Sequence, residues 1–292
     1  MTISAAMVKE LRERTGAGMM ECKKALVEAD GDLDVAVENM RKAGLAKADK
    51  KSGRIAAEGL VAISQSDDGS RAALVEVNSE TDFVSSGEDF ISFSNGVAAA
   101  ALAGNASDRD ALLALPIEGA ASIEEARRTL IAKIGENINV RRVQIIGGAD
   151  RVGAYLHGKR IGVVVAMNGG DDELARDVAM HIAATNPLCI SEADVPAETL
   201  AKEKEILVEQ ARNEGKPDAI VEKMVVGRLR KYLAEITLVG QPFVKDPDVS
   251  VGKLLAGKDA KVVAFARFEV GEGIEKKQDN FVEEVMAQAR GA

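Results

Sequence analysis

The chain has 292 residues and a formal net charge of −9, with 46% hydrophobic and 29% charged residues, seven Phe, two Tyr and no Trp. That length and apolar content describe about two ordered globular domains and exclude a disordered chain, while no apolar run approaches the roughly 20 residues that a membrane span needs. An acidic chain with few aromatics offers neither a basic face nor stacking platforms, which excludes nucleic acid as the default partner and argues against a large ring-binding pocket.

At the N-terminus, Ser4 is placed to cap a helix with Val8 and Leu11 on one face. The same segment, MTISAAMVKELRERTG, has neither the basic nor the apolar region of a signal peptide. With only Cys22 and Cys189 in the chain, the expected compartment is a reducing cytoplasm. TGAG (15–18) breaks this helix, and MMECKKALVEA then sets Met19, Cys22, Ala25, Leu26 and Ala29 at helical spacing. Met19 and Met20 are adjacent and do not share a helix face, so one of them is expected to point outward. After a turn at DGD (30–32), LDVAVENMRKA carries Leu33, Ala36, Val37 and Met40 on one face, and Gly44 is expected to end it. Three short helices make a small bundle, followed by AKADKKSGR, read as a charged linker.

From Ile55 the period changes. EGLVAISQSDDGSRAALVEVN reads as strand, turn at DDG, strand, and a helix is expected from about Glu88 to Ala103. VGAYLHGKRIGVVVAMN (152–168) repeats the pattern with a turn at HGK, followed by a helix from about Asp171 to Thr185. Hairpin, Asn, helix therefore occurs twice, as in two diverged copies of one α+β unit. In the second copy Asn168 is followed by GGDDEL and a short turn. In the first, SETDFVSSGEDF separates Asn78 from its helix, adding Thr81, Asp82, Phe83 and Val84. One copy folds without the insertion, so Phe83 is expected to be exposed and functional, although an average loop Phe anchors a local core.

Residues 196–236 read as two helices broken at GKPD, an antiparallel helical hairpin with Leu200, Ile206 and Leu207 lining one arm and Ile220, Met224, Val225, Leu229 and Leu233 the other. GQPFV (240–244) leads back, AKVVAFARFEVG (260–271) is a strand expected to join the second sheet, and DNFVEEVMAQAR (279–290) is a terminal helix.

Motifs for bond-making chemistry do not assemble. No GxxxxGK(S/T) phosphate loop occurs, the short glycine pairs lack the full dinucleotide-binding spacing, and no GxSxG is present. His157 and His181 have no partners at metal spacing, and His157, in a hairpin turn, is by itself an ordinary polar turn residue. The expected protein is not an enzyme and carries no cofactor and no metal. Two other readings compete: a peptide-binding adaptor that uses the N-terminal helical module alone, and a small-molecule enzyme at the junction of the two copies.

VKELRERTGAGMMECKKAL (8–26), NSETDFV (78–84), KIGENINVRR (133–142), HGKRIGVVV (157–165), AMHIAA (179–184), GQPFV (240–244) and RFEVGEGIEK (267–276), in that order, resemble the bacterial translation elongation factor Ts family along nearly the whole chain. The resemblance implies an α+β fold: a three-helix ubiquitin-associated-like module with its linker over 1–54, α+β subdomains with antiparallel sheets over 55–147 and 148–278, the projecting hairpin at about 196–236, and a C-terminal helix over 279–292. It also implies a guanine nucleotide exchange factor that binds elongation factor Tu in its GDP-bound and nucleotide-free states, with no direct nucleic acid or membrane partner. Asp82 and Phe83, flanked by Thr81 and Val84, would reach the magnesium and phosphate site of that GTPase with Phe83 as a wedge, and Ile134 and Gly135 would support the same surface. Arg12, Met19, Met20 and Lys23 would grip the GTPase domain from the N-terminal module. His157 and Val244 would face the partner from the second subdomain.

Overall fold

The computed structural model describes residues 3–275 except 107 and 216, so the terminal helix expected at 279–290 lies outside the described residues. Three helices open the chain: α1 (Ala5–Thr15), α2 (Met19–Glu28) and α3 (Leu33–Lys51). Ser4 Oγ accepts the Met7 N–H at 3.2 Å to cap α1, and Asp32 caps α3 by accepting from Asp34 and Val35. Val8, Leu11, Cys22, Ala25, Leu26 and Ala36 close the bundle core.

Two expectations fail in α3. Gly44 does not end the helix; it is buried against α7 (Ile123–Ile134), where an added Cβ would come within 2.9 Å of the Ala132 Cβ. The glycine therefore permits close helix packing. Nor is the charged run a linker up to Lys51, because Ala and Lys favour a helix and this stretch has a surface to pack on. Ala48 is buried in the core of the first subdomain, and Asp49 pairs with Arg128 of α7.

β1 (Glu58–Gln65) and β2 (Arg71–Ser79) form the first hairpin, followed by a one-turn helix α4 (Asp82–Ser85), α5 (Glu88–Gly104), α6 (Arg109–Ala114), α7 and β3 (Ile138–Gly147). The second copy runs β4 (Arg151–His157), β5 (Ile161–Asn168), α8 (Asp172–Thr185), the hairpin α9 (Ala197–Asn213) and α10 (Asp218–Ile236), β6 (Pro242–Phe243), β7 (Asp246–Ser250), α11 (Val251–Ala256) and β8 (Lys261–Glu269). The main sheets are antiparallel with orders β1-β2-β3 and β4-β5-β8, and β6 pairs with β7 in a small ribbon. In both main sheets the third strand arrives from far along the chain. Each central strand also shifts register one residue before its Asn, between Glu76 and Val77 and between Ala166 and Met167.

The sheets stack back to back with helices outside. On β2, Ala73, Val75 and Val77 join Phe90, Phe93 and Val97 of α5, while Ala72 and Leu74 join Val164, Ala166 and Phe268 between the sheets. This is why β2 reads as a continuous apolar run: both faces are covered. Gly162 of β5 lies where a Cβ would meet Val61 Cγ1 at 2.5 Å, so the sheets approach closely there. In the helical hairpin, Leu207, Ala211, Val221 and Val225 form the seam. Ile206 and Ile220, expected to line it, are exposed, since the seam falls on the adjacent residues Leu207 and Val221. Among the described residues no helix is long and apolar enough to cross a membrane.

Candidate interaction surface

Thr81 ends the extended chain after β2 and caps α4, its Oγ1 accepting the Val84 N–H at 3.4 Å. The following turn sorts its side chains sharply. Val84 packs half-buried on the first core and Ser85 is buried, donating to the Asp82 carbonyl at 3.0 Å. Asp82 is exposed, and Phe83 is 85% exposed. One of seven Phe in the chain thus stands in water on a turn that Thr81, Val84 and Ser85 fasten to the core.

Opposite this turn, Ile134 ends α7 half-buried on the first core, and Gly135 takes φ 92°, a left-handed conformation suited to glycine. Glu136 and Asn137 follow. Glu136 Oε2 accepts the Thr81 N–H at 2.9 Å, and its Oε1 accepts the Thr81 hydroxyl at 2.8 Å. In the reverse direction, Glu80 Oε1 accepts the Asn137 N–H at 2.6 Å. Asn137 Nδ2 donates to the Arg54 carbonyl at 2.7 Å, and Lys51 of α3 donates to the Gly135 carbonyl. The two sequence motifs therefore form one structural unit, tied to the end of the N-terminal helices.

On the bundle, Arg12, Met19, Met20 and Lys23 are all exposed. Both methionines face solvent, Met19 at 50% and Met20 at 78%, where one outward residue was expected. The inward face of α2 starts only at Cys22, leaving its first residue Met19 beyond the core. In the second subdomain His157 is exposed at the end of β4, its Nδ1 3.3 Å from the Tyr155 hydroxyl. Val244 is 44% exposed, and its N–H donates to Nδ1 of fully buried His181 at 3.2 Å. With Nδ1 accepting, Nε2 carries the proton and donates to Gln241 Oε1 at 3.0 Å. Burial holds the His181 pKa below 6.5, opposed by the Gln241 bond, so the ring stays neutral near pH 7. Among the described residues no group of three or more His, Cys, Asp or Glu is placed to hold a metal.

Sequence reasoning missed Glu80, Glu136, Asn137 and His181 as parts of this surface. All four stand inside the quoted motifs, but the roles of Glu80, Glu136 and Asn137 depend on β2 pairing with β3, which no local spacing reveals. The His181 contact similarly depends on the chain returning after the helical hairpin.

Comparison with known proteins agrees with this architecture. The family described as Elongation factor TS matches residues 80–272. The chain is 63% identical over 293 residues to Elongation factor Ts of Alkalilimnicola ehrlichii, covering 100% of both. It is likewise 63% identical over 293 residues to that of Methylococcus capsulatus, again covering 100% of both. To that of Legionella pneumophila (strain Paris) it is 53% identical over 289 residues, covering 99% of both. The chain belongs to the elongation factor Ts family.

Proposed function

We propose that the protein is a guanine nucleotide exchange factor that binds elongation factor Tu·GDP, disturbs its magnesium and phosphate site with Phe83, and holds the nucleotide-free state until GTP enters. Family membership implies the exchange role toward elongation factor Tu; the wedge is the finer reading. The observation that carries it is Phe83, 85% exposed on an anchored turn. Asp82 lies beside it, and Thr81 and Val84 fasten the turn. Ile134 and Gly135 brace the adjoining loop, Arg12, Met19, Met20 and Lys23 supply a second contact, and His157 and Val244 a third. The protein makes no bond and acts without nucleic acid or membrane, in the cytoplasm, a setting consistent with the free thiols of Cys22 and Cys189.

Magnitudes favour a shared mechanism. Speeding release by roughly four orders of magnitude needs about 5.5 kcal/mol of barrier reduction, whereas burying one Phe supplies about 1.5–3 kcal/mol. The wider surface must therefore prefer the nucleotide-free partner, because only differential affinity shifts the equilibrium. The alternative of an adaptor acting through its N-terminal module alone fits less well, since α3 is stitched to α7 by Asp49–Arg128 and Arg41–Glu125.

Release of labelled GDP from elongation factor Tu tests the reading. The wild-type protein should accelerate it, and Phe83→Ala should slow the accelerated rate about ten- to hundredfold, the equivalent of one lost Phe contact. An F83A variant with the wild-type rate would remove the wedge from the mechanism.

A further inference from the structure

Beyond the last β2–β3 pair, Ser79 with Ile138, the strands part. One step further Glu80 stands opposite Asn137, and two steps further Thr81 stands opposite Glu136. Carboxylates bridge the gap that the backbone ladder no longer spans. Glu80 takes the Asn137 N–H, and Glu136 takes both the N–H and the hydroxyl of Thr81. We propose that Glu136 is a positioning residue for nucleotide exchange: its two-oxygen grip on Thr81 holds the Asp82–Ser85 turn, and with it Phe83, in the orientation that meets the partner. The proposal rests on the wedge reading of Phe83.

A four-residue helix does not persist by its own hydrogen bonds, and Phe83, being 85% exposed, contributes little packing to hold it. What fastens α4 is Val84 on the core, Ser85 on the Asp82 carbonyl, and the Thr81 cap. The Thr81 hydroxyl does two things at once, accepting from Val84 N and donating to Glu136, so the carboxylate fixes the rotamer on which the cap depends. Glu136 is itself fixed, because Lys51 of α3 holds the carbonyl of the preceding Gly135. A line of hydrogen bonds and chain runs from Lys51 of α3 through Gly135 and Glu136 to Thr81, two residues before Phe83. Loss of the grip leaves Phe83 exposed but orientationally free, so that its ordering is deferred to the step that expels GDP and raises that barrier.

The chain contains no Trp and two Tyr, so Phe83→Trp provides a single Trp at the tip, excited selectively at the red edge where Tyr does not absorb. Adding Glu136→Ala to that protein should lower the Trp fluorescence anisotropy, with circular dichroism unchanged. In the otherwise wild-type chain, E136A should lower the GDP release rate at saturation about tenfold, the scale of a lost charge-assisted hydrogen bond. The half-saturating concentration should move less than about twofold. E136Q, which retains one acceptor oxygen, should fall between. F83A with E136A should be no slower than F83A alone, because nothing remains to be positioned. Unchanged anisotropy, or full exchange by E136A while F83A is impaired, would overturn the proposal. So would an F83A/E136A rate equal to the product of the two separate losses. A wild-type rate for F83A would sink the wedge reading, and Glu136's part in exchange with it; the anisotropy would then report on the clasp alone.

Discussion

Glu76 lies on the inter-sheet row of β2 with no exposed surface. It accepts from the Gly271 N–H at 2.8 Å, Asn78 Nδ2 at 2.9 Å, Arg142 Nε at 2.6 Å and Arg141 Nη1 at 3.1 Å. Arg142 also donates to the Glu269 carbonyl at 3.1 Å and lies 4.2 Å over the Phe268 ring. One carboxylate thus ties the first sheet to the end of β8. Burial pushes its pKa up, but the Gly271 and Asn78 hydrogen bonds and Arg142 outweigh it, leaving the net value below 4.5. Glu76→Gln should lower stability at neutral pH by about 3 kcal/mol, since the arginines keep some solvent, and Tm by about 6–12 °C. The sign of the pH effect follows from the depressed folded pKa. The stabilisation is fully present above pH 4.5 and disappears as pH falls through the folded value. Denaturant melts of wild type and E76Q should therefore differ by a constant amount near neutrality and converge below that pH; a gap that widens in acid would reverse the assignment. Phe83→Ala, which removes an exposed ring, should change stability by less than about 0.5 kcal/mol.

Helix α3 is the element where local and tertiary signals part company. Ala46 is exposed and Ala48 buried two residues later on the same helix. Ala48→Asp should thus unfold the protein at a Tm at least about 6 °C lower, a buried unpaired charge being among the most disruptive changes, whereas Ala46→Asp should be nearly silent. Equal melting of the two would mean that α3 does not dock on the first subdomain. The inserted segment between β2 and α5 has a similar lesson. As an extra loop it looks replaceable by the short GGDDE turn (169–173) of the second copy. Yet it carries half-buried Val84, buried Ser85 and both clasp partners on the β2 side. The chimera should fold with a loss of about 2–3 kcal/mol in urea melts, the combined scale of one apolar side chain and a charge-assisted bond. Native stability would show that the segment is a free loop. Alternation and turn residues made both β-hairpins, α5, α8 and the duplication legible in the sequence, because those signals are local. Helix α6 and the body of α7 carry no such signal, Gly44 reads locally as a terminator, and the apolar stripes put Ile206 and Ile220 in the hairpin seam. Each of these depends on a partner distant in sequence. At the site, the exposure of Phe83 was legible from the unmatched insertion; the Glu80 and Glu136 clasp was not.

At the scale of the whole molecule, the two stacked sheets form a common core through Val61, Leu74, Val164, Ala166 and Phe268. That core holds the Phe83 turn in the first subdomain and the His157 and Val244 surfaces in the second as parts of one body. Such a frame suits a factor that must bind one state of its partner better than another, since a contact held in place adds affinity without an ordering cost. Reciprocity then makes a quantitative demand: whatever factor this protein imposes on GDP affinity, GDP must impose on the affinity for this protein. The most direct test is to measure the dissociation constant of the chain for elongation factor Tu with and without saturating GDP. Alongside it, the GDP dissociation constant of elongation factor Tu is measured with and without the saturating chain. An exchange factor of this kind should bind the nucleotide-free form far more tightly, with the two ratios equal; equal affinity for the GDP-bound and nucleotide-free partner would contradict that role.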